Sequence, residues 1–355
     1  MSDNREEAEE KMAKAIFISG DGWLAVFDLL EPFQLGLGIA LVSHRFDFYV
    51  DEHFKTRRWA LKFMEIKAKF EADGTNGWQI VNCDGKPLPT PQKAMPKKVV
   101  GFKSISIKYI DQNAIAFLHR FRQFFAFCPI NLVINTNCDR TLESILRNIW
   151  PMIAKNICAM QLPDPEYASS NLRQFVPSIL NDCPSLRVIN SHSVGFIAEF
   201  PYHESAKTSN GHALAKWLFT PRPDNVPKVL KCWLPMWYTE FDSSMEDFKA
   251  AFANASSPVN FIVVVWISRP FAFPAQFDQT NEVTREQLTF KRIGKSIRHL
   301  LLIRCPIVRD TDKWAKWEKE AIDWQFNDQW NRIDIQINNE REMDVDTGPS
   351  DQEKK

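Results

Sequence analysis

The chain has 355 residues, 45% of them hydrophobic, and its 12 Trp and 27 Phe are enough for a large aromatic core. Lys and Arg total 44 and Asp and Glu also total 44, a neutral sum that argues against wrapping nucleic acid or lying on an anionic membrane. The 7 cysteines include no CxxC pair, which points to reduced, buried thiols in a cytoplasmic or nuclear protein.

Residues 1–14 are acidic and polar, the reverse of a signal peptide, and are expected to be a disordered leader. Ser19 is a candidate N-cap for a helix that carries Leu24, Phe27 and Leu30 on one side. Pro32 suits the first turn of a second helix. Leu35, Ile39, Val42 and Phe46 then recur at the spacing of one helical face. Another helix is expected over Phe48–Trp59, where Arg57-Arg58 reads as a solvated helix end.

The order of these residues resembles the F-box. Ile18-Ser19 stands where that family has Leu-Pro, Val26-Phe27 for its apolar-Phe pair, and Leu30 and Pro32 for its Leu and Pro. Leu35 follows in register, and Leu41-Val42-Ser43-His44-Arg45-Phe46 ends the motif without a gap. Ser19, Gly22 and Ala25 depart from the pattern. The resemblance implies a three-helix module over residues 15–60 that docks on Skp1, and through it on a cullin. Ile18, Leu24, Phe27, Leu30, Pro32, Leu35, Leu41 and Val42 are the contact residues it implies.

Leu61–Phe70 and Trp78–Asn82 flank the turn-rich Ala72–Gly77 and predict a β-hairpin. Pro87, Pro89, Pro91 and Pro96 make a semi-rigid connector, so the boundary between two domains is expected within residues 61–100.

Strands are then expected at Phe102–Ile107, Ile130–Ile134, Ile157–Leu162 and Leu186–Ile189, with starts about 28 residues apart. Between them lie the helical stripes Ile115, Leu118, Phe121, Phe125; Leu142, Ile145, Leu146, Ile149; and Leu172, Phe175, Val176, Ile179, Leu180. Cys128-Pro129 and Cys183-Pro184 each stop a helix before a strand. That period predicts a leucine-rich-repeat-like, horseshoe-like strand–helix array over residues 101–338, although the LxxLxLxxN consensus is poorly kept. The fold class expected for the whole chain is therefore α/β.

Ala198–Gly211 reads as a polar loop, Lys228–Leu234 and Asn260–Ile267 as strands, and Met245, Phe248 and Phe252 as the helix face between them. FIVVVWI, Phe261–Ile267, is apolar throughout and predicts a strand covered on both faces. Leu288–Ile293 and Arg298–Ile303 predict a closing antiparallel pair. Asp312–Trp330 and the alternating Ile333, Ile335, Ile337 are expected to cap the far end of the array, before an acidic, disordered tail over residues 339–355. Asn210–Leu218, with Pro227–Cys232 after it, resembles the α/β region of lineage-expanded F-box proteins.

Chemistry leaves few marks. Gly20-Asp21-Gly22 and Gly36-Leu37-Gly38 lack the third glycine of a dinucleotide loop, and GxxxxGK[ST], GxSxG and HExxH are all missing. His192 and His203 read as solvated loop residues rather than metal ligands. The sequence therefore offers no catalytic, cofactor-binding or metal residue. The F-box resemblance implies a non-enzymatic adaptor that presents an unknown target protein to an SCF-type ubiquitin ligase for degradation. The alternative is a non-catalytic scaffold whose N-terminal helices are only a cap. Target-binding residues are unknown, with Ser104, Ser106 and Lys108 candidates only by the geometry of the repeat family.

Overall fold

A computed structural model describes residues 18–30, 32–56, 59–70, 76–88, 99–136, 139–162, 179–191, 213–234, 241–267, 275–293, 299–337 and 343–344. The leader, the acidic tail apart from Met343-Asp344, Arg57-Arg58, Pro89, Pro91 and Pro96, Leu172, Phe175 and Val176, the Ala198–Gly211 loop, and His192, His203 and His212 lie outside these residues. The chain divides into two compact units, Met1–Lys62 with Leu88–Val100, and Phe63–Pro87 with Gly101–Lys355. Among the described residues no helix is long and apolar enough to cross a membrane.

The first unit is helical. α1 (Gly20–Phe27) starts where Ser19 Oγ accepts from the Gly22 N–H at 3.2 Å, the cap that the sequence predicts. α2 (Pro32–Leu37) is followed by a 3₁₀ turn, Ile39–Leu41, and by α3 (His44–Thr56). The single helical face expected from Leu35 to Phe46 is thus broken, for two local reasons. A Cβ at Gly38 would lie 2.7 Å from the Gln34 carbonyl oxygen, so the chain turns there as only glycine allows. Ser43 Oγ then accepts from the Phe46 N–H at 3.3 Å and caps a new helix. Phe27, Leu35, Val50 and Phe54 are buried in this unit. The Phe27 ring meets His53 edge-on at 5.7 Å and lies 6.5 Å from Phe46.

The second unit is built on a large mixed sheet. Its strands are β1 (Trp59–Phe70), β2 (Asn76–Val81), β3 (Pro87–Leu88), β4 (Val99–Ile107), β6 (Ile130–Asn135), β7 (Ile157–Leu162), β8 (Val188–Ser191), β9 (Lys228–Leu234), β10 (Phe261–Ile267), β11 (Phe277–Asn281), β12 (Glu286–Arg292), β13 (His299–Pro306) and β14 (Arg332–Gln336). A short pair apart from it, β5 (Ile110–Asp111) with β15 (Met343–Asp344), is parallel. The sheet runs β11-β12-β13-β10-β9-β8-β7-β6-β14-β4-β1-β2-β3. From β10 to β4 every neighbouring pair is parallel, and β6 to β10 follow one another in chain order. The β1–β2 pair is the expected hairpin.

Three helices cross between these strands: α4 (Gln112–Phe127), α5 (Asp139–Asn148) and the short α6 (Trp150–Ile153). Asp111 caps α4, accepting from the Ala114 N–H at 2.6 Å. The stripe Ile115, Leu118, Phe121, Phe125 is buried, as its helical spacing requires. α7 (Ala213–Phe219) and α8 (Phe241–Ala253) come later, and α9 (Thr311–Asp323) follows the β12–β13 pair.

The C-terminal strand departs from expectation. β14 does not cap the array; it enters the sheet between β4 and β6, placing Ile333 beside Ile105 and Leu132. Ile333, Ile335 and Ile337 are all buried there, each contributing about 1.5–3 kcal/mol. Asn331, with φ 55°, makes the entry: its N–H donates to Phe102 O at 2.7 Å, and its side-chain oxygen accepts from the Phe102 N–H at 3.0 Å. A Cβ at Gly101 would stand 2.7 Å from that oxygen, so the close approach needs glycine. At the other end Thr136 Oγ1 donates to Ile337 O at 2.7 Å. Similarly, β12 and β13 do not close the sheet, because β11 pairs outside them.

β10 is covered on both faces, as its composition predicts. Ile262 and Val264 pack with Leu301, Ile303, Cys305 and, from α9, Trp314 and Ala321. On the opposite side Phe261 meets the rings of Phe219 and Phe248 at 5.6 and 6.1 Å. No disulfide forms among the described cysteines. Burial pushes the Cys183 thiol up to about 12 and the Cys305 thiol to about 11.

Buried Lys228 ties down the end of α7. Its ammonium donates to Trp217 O and, at 2.6 Å, to Thr220 O, a cation at the carbonyl end of the helix. Burial, with a smaller contribution from Arg222, pushes Lys228 down to about 7. An unfolded lysine titrates near ~10.4, so above pH ~7 the unfolded chain binds more protons than the native one and stability rises with pH. Buried thiols give the opposite slope above pH ~8.5, because there they hold protons that the unfolded chain has lost. Between pH ~6 and ~8 the urea midpoint is therefore expected to rise, and Lys228→Met is expected to flatten that rise. An equal rise in the variant would contradict the assignment.

Candidate functional site

A cavity of about 620 Å³ opens at the carboxyl ends of β8, β9 and β10, where open parallel sheets commonly place ligands. Register builds its floor. Trp233 of β9 is the Cα partner of Trp266 of β10, which in turn partners His299 of β13. Partners in register share a face, so three flat rings stand in one row across three strands. The Trp266 and His299 rings are nearly parallel, 13° apart with centroids at 6.0 Å. Trp266 is 50% exposed on a strand that is otherwise buried, and Trp233 is partly exposed beside it.

Two residues back along the strands, Asn190, Lys231 and Val264 form the next row of the same face. α9 covers Val264 but stops at Asp323, short of the tryptophans. Lys231 fixes that stopping point. Its ammonium donates to Ile322 O at 3.1 Å and Trp324 O at 2.6 Å, a cation on the carbonyl end of a helix. Burial lowers its pKa, while Asp323 acts in the opposite sense. Beyond the helix, Trp324, Gln325 and Phe326 form the cavity wall, with the Trp324 and Phe326 rings 6.1 Å apart and edge-on.

These side chains suit holding a flat, uncharged group by stacking, with amide and hydroxyl groups of Asn190, Ser191 and Gln325 at its border. Cys232 also borders the cavity, and burial pushes its thiol far up, away from the thiolate that a nucleophile needs. Among the described residues no group of His, Cys, Asp and Glu has the proximity to hold a metal ion.

The residues that the F-box resemblance implies fall into three classes. Phe27, Pro32 and Leu35 are buried and hold the helical unit together. Ile18, Leu24 and Leu30 are half-buried. Val42 is 67% exposed, while the side chain of Leu41 lies outside the described ones. Exposed beside them in sequence are Leu29, at 85%, and Val26 and Phe48, none of which the motif singles out as a contact.

Ser104 and Ser106 are buried rather than presented on a surface, and Ser104 Oγ accepts from Arg332 Nε at 3.3 Å. Lys108 is engaged with Glu65 at 2.8 Å. On β14, Asp334 has its pKa raised by burial against the pull of Gln336, Arg332 and Lys108, which marks a strand interior rather than a solvated surface.

No family model, no curated protein and no solved structure matches the chain.

Proposed function

We propose that this chain is an F-box-type substrate adaptor. Its N-terminal helices would dock on Skp1, and through it on a cullin, while the α/β unit holds a target protein for an SCF-type ubiquitin ligase. The observation that carries the reading is the exposure of Leu29 and Val42 on a small helical unit whose sequence follows the F-box order from Ile18 to Phe46. Large apolar side chains in water at that density suit a helix-docking partner. Leu24, Leu30 and Ile18 add half-buried apolar area, and Phe27, Pro32 and Leu35 act as the scaffold beneath.

For the α/β unit, a leucine-rich-repeat-like reading is supported by β6 to β10, each added beside the last in chain order. The insertion of β14 and the helical cover on both faces of β10 depart from a simple horseshoe. Such an adaptor performs no chemistry. It supplies proximity and orientation to a separate ubiquitin-conjugating enzyme.

The test is a pull-down of purified Skp1 by the full chain, beside a Leu29→Asp/Val42→Asp variant. Both positions are exposed, so the variant is expected to keep its fold while losing at least ~10-fold in affinity, about 1.4 kcal/mol. A folded wild type that fails to retain Skp1 would overturn the adaptor reading and leave a scaffold with N-terminal capping helices.

A further inference from the structure

The two edges of the large sheet differ. One ends in β3, two residues of which one is proline, so it offers little backbone to another strand. The other ends in β11, five residues with no proline and no lysine, paired to β12 in unbroken register. Among the described residues no strand pairs on the outer side of β11. Its outward N–H and C=O groups are therefore a template for one more strand.

β11 is also held in place. Asn281 Nδ2 donates to Phe252 O at 2.8 Å, Ala255 O at 3.0 Å and Ala253 O at 3.3 Å, which fastens the strand to the end of α8. The Lys249 ammonium stands 4.3 Å from the centre of the Phe277 ring. Asp278, the one charge on the strand, is engaged by its own sheet: Oδ1 accepts from Thr289 Oγ1 at 2.6 Å and from Gln287 Nε2 at 3.1 Å. An edge already ordered loses little freedom when a strand is added.

The sequence of β11 fits its own copy. Laid antiparallel about Gln279, the strand sets Asp278 opposite Thr280 of the copy, and two-fold symmetry makes the same pair a second time. Both side chains are exposed, and residues opposite each other share a face. The pairing repeats the Asp278–Thr289 contact that β11 makes with β12. No like charges meet along the strand, and 44 basic against 44 acidic residues leave no net charge to hold two copies apart.

We infer that β11 is a self-association edge: two copies of this chain join antiparallel through Phe277–Asn281, continuing the sheet across a two-fold axis. A pair of short strands places the contact among small, reversible interfaces. It neither uses nor requires the N-terminal helices.

The test is sedimentation velocity of the full chain over a concentration series, where a dimer that grows with concentration is expected. Thr280→Asp faces Asp278 of the copy with a like charge twice over and is expected to weaken the dimer roughly tenfold. Thr280→Lys faces the same carboxylate with the opposite charge and is expected to keep or tighten the dimer. Thr280 is exposed, so both variants are expected to keep the wild-type urea midpoint. A wild type that stays monomeric throughout would overturn the inference. So would a dimer that Thr280→Asp leaves unchanged, which would join through another surface, or equal weakening by Thr280→Lys. Skp1 takes no part in the readout, so this result and the adaptor result fail independently.

Discussion

Replacing Arg304 with alanine is expected to destabilise the α/β unit by about 3–5 kcal/mol, because it strands Glu286 as an unpaired buried charge. Both side chains are essentially inaccessible to solvent. Arg304 Nη2 and Nε donate to Glu286 Oε2 at 2.6 and 3.1 Å, and Nη2 also donates to Ser257 O at 2.9 Å. Glu286 Oε1 accepts from the Val259 N–H at 2.7 Å, so the pair fastens the loop before β10 to β12 and β13. The guanidinium also stands over the rings of Phe252 and Phe219, at 5.1 and 5.4 Å. Removing one partner therefore costs desolvation without compensation. Removing both need not: Arg304→Met/Glu286→Leu is expected to recover most of the loss. Urea denaturation of the two variants makes the comparison. A single substitution costing under ~1 kcal/mol would show that the pair is solvated rather than buried.

Phe27→Ala is the second large effect. Phe27 is fully buried and touches the rings of Trp23, Phe46 and His53, so its loss opens a hole between α1 and α3. Phenylalanine truncations at such sites cost about 3–5 kcal/mol, more than a short helical unit is expected to spare. Slow exchange of α1 and α3 amides is therefore expected to be lost in the variant, while β6–β10 amides keep their protection. Unchanged protection of α1 would mean that Phe27 is not central to its packing. Phe27→Ala is accordingly a poor probe of binding, and the exposed Leu29 and Val42 are the better positions.

Local signals were legible and long-range ones were not. Ser19, with its side-chain oxygen, marked the start of α1, and the alternation in Phe102–Ile107 and the apolar run Phe261–Ile267 marked strands. Those signals depend on a few neighbouring residues. β14 was visible as a strand from Ile333, Ile335 and Ile337, but its place was not. Its partners Ile105 and Leu132 lie about two hundred residues upstream, and nothing in a period of apolar residues names a partner. β11, Phe277–Asn281, escaped notice because its polar side chains resemble a loop.

The cavity was hidden for a related reason. Trp266 sits in a run that reads as buried on both faces, and only the end of α9 leaves it open. One signal was available. Trp233 and Trp266 hold the same sixth place in β9 and β10, and parallel strands in register set equal places side by side. The expected helix from Leu35 to Phe46 failed because Gly38 and Ser43 carry stop and start chemistry that the apolar spacing overrode.

In the proposed adaptor the N-terminal helices would be a docking surface for Skp1. Hydrogen exchange of the full chain, with and without saturating Skp1, tests it most directly. Slowed exchange over α1, α2 and α3 is expected, with β6–β10 unchanged. Exchange that is identical across α1–α3 in the presence of Skp1 would contradict it.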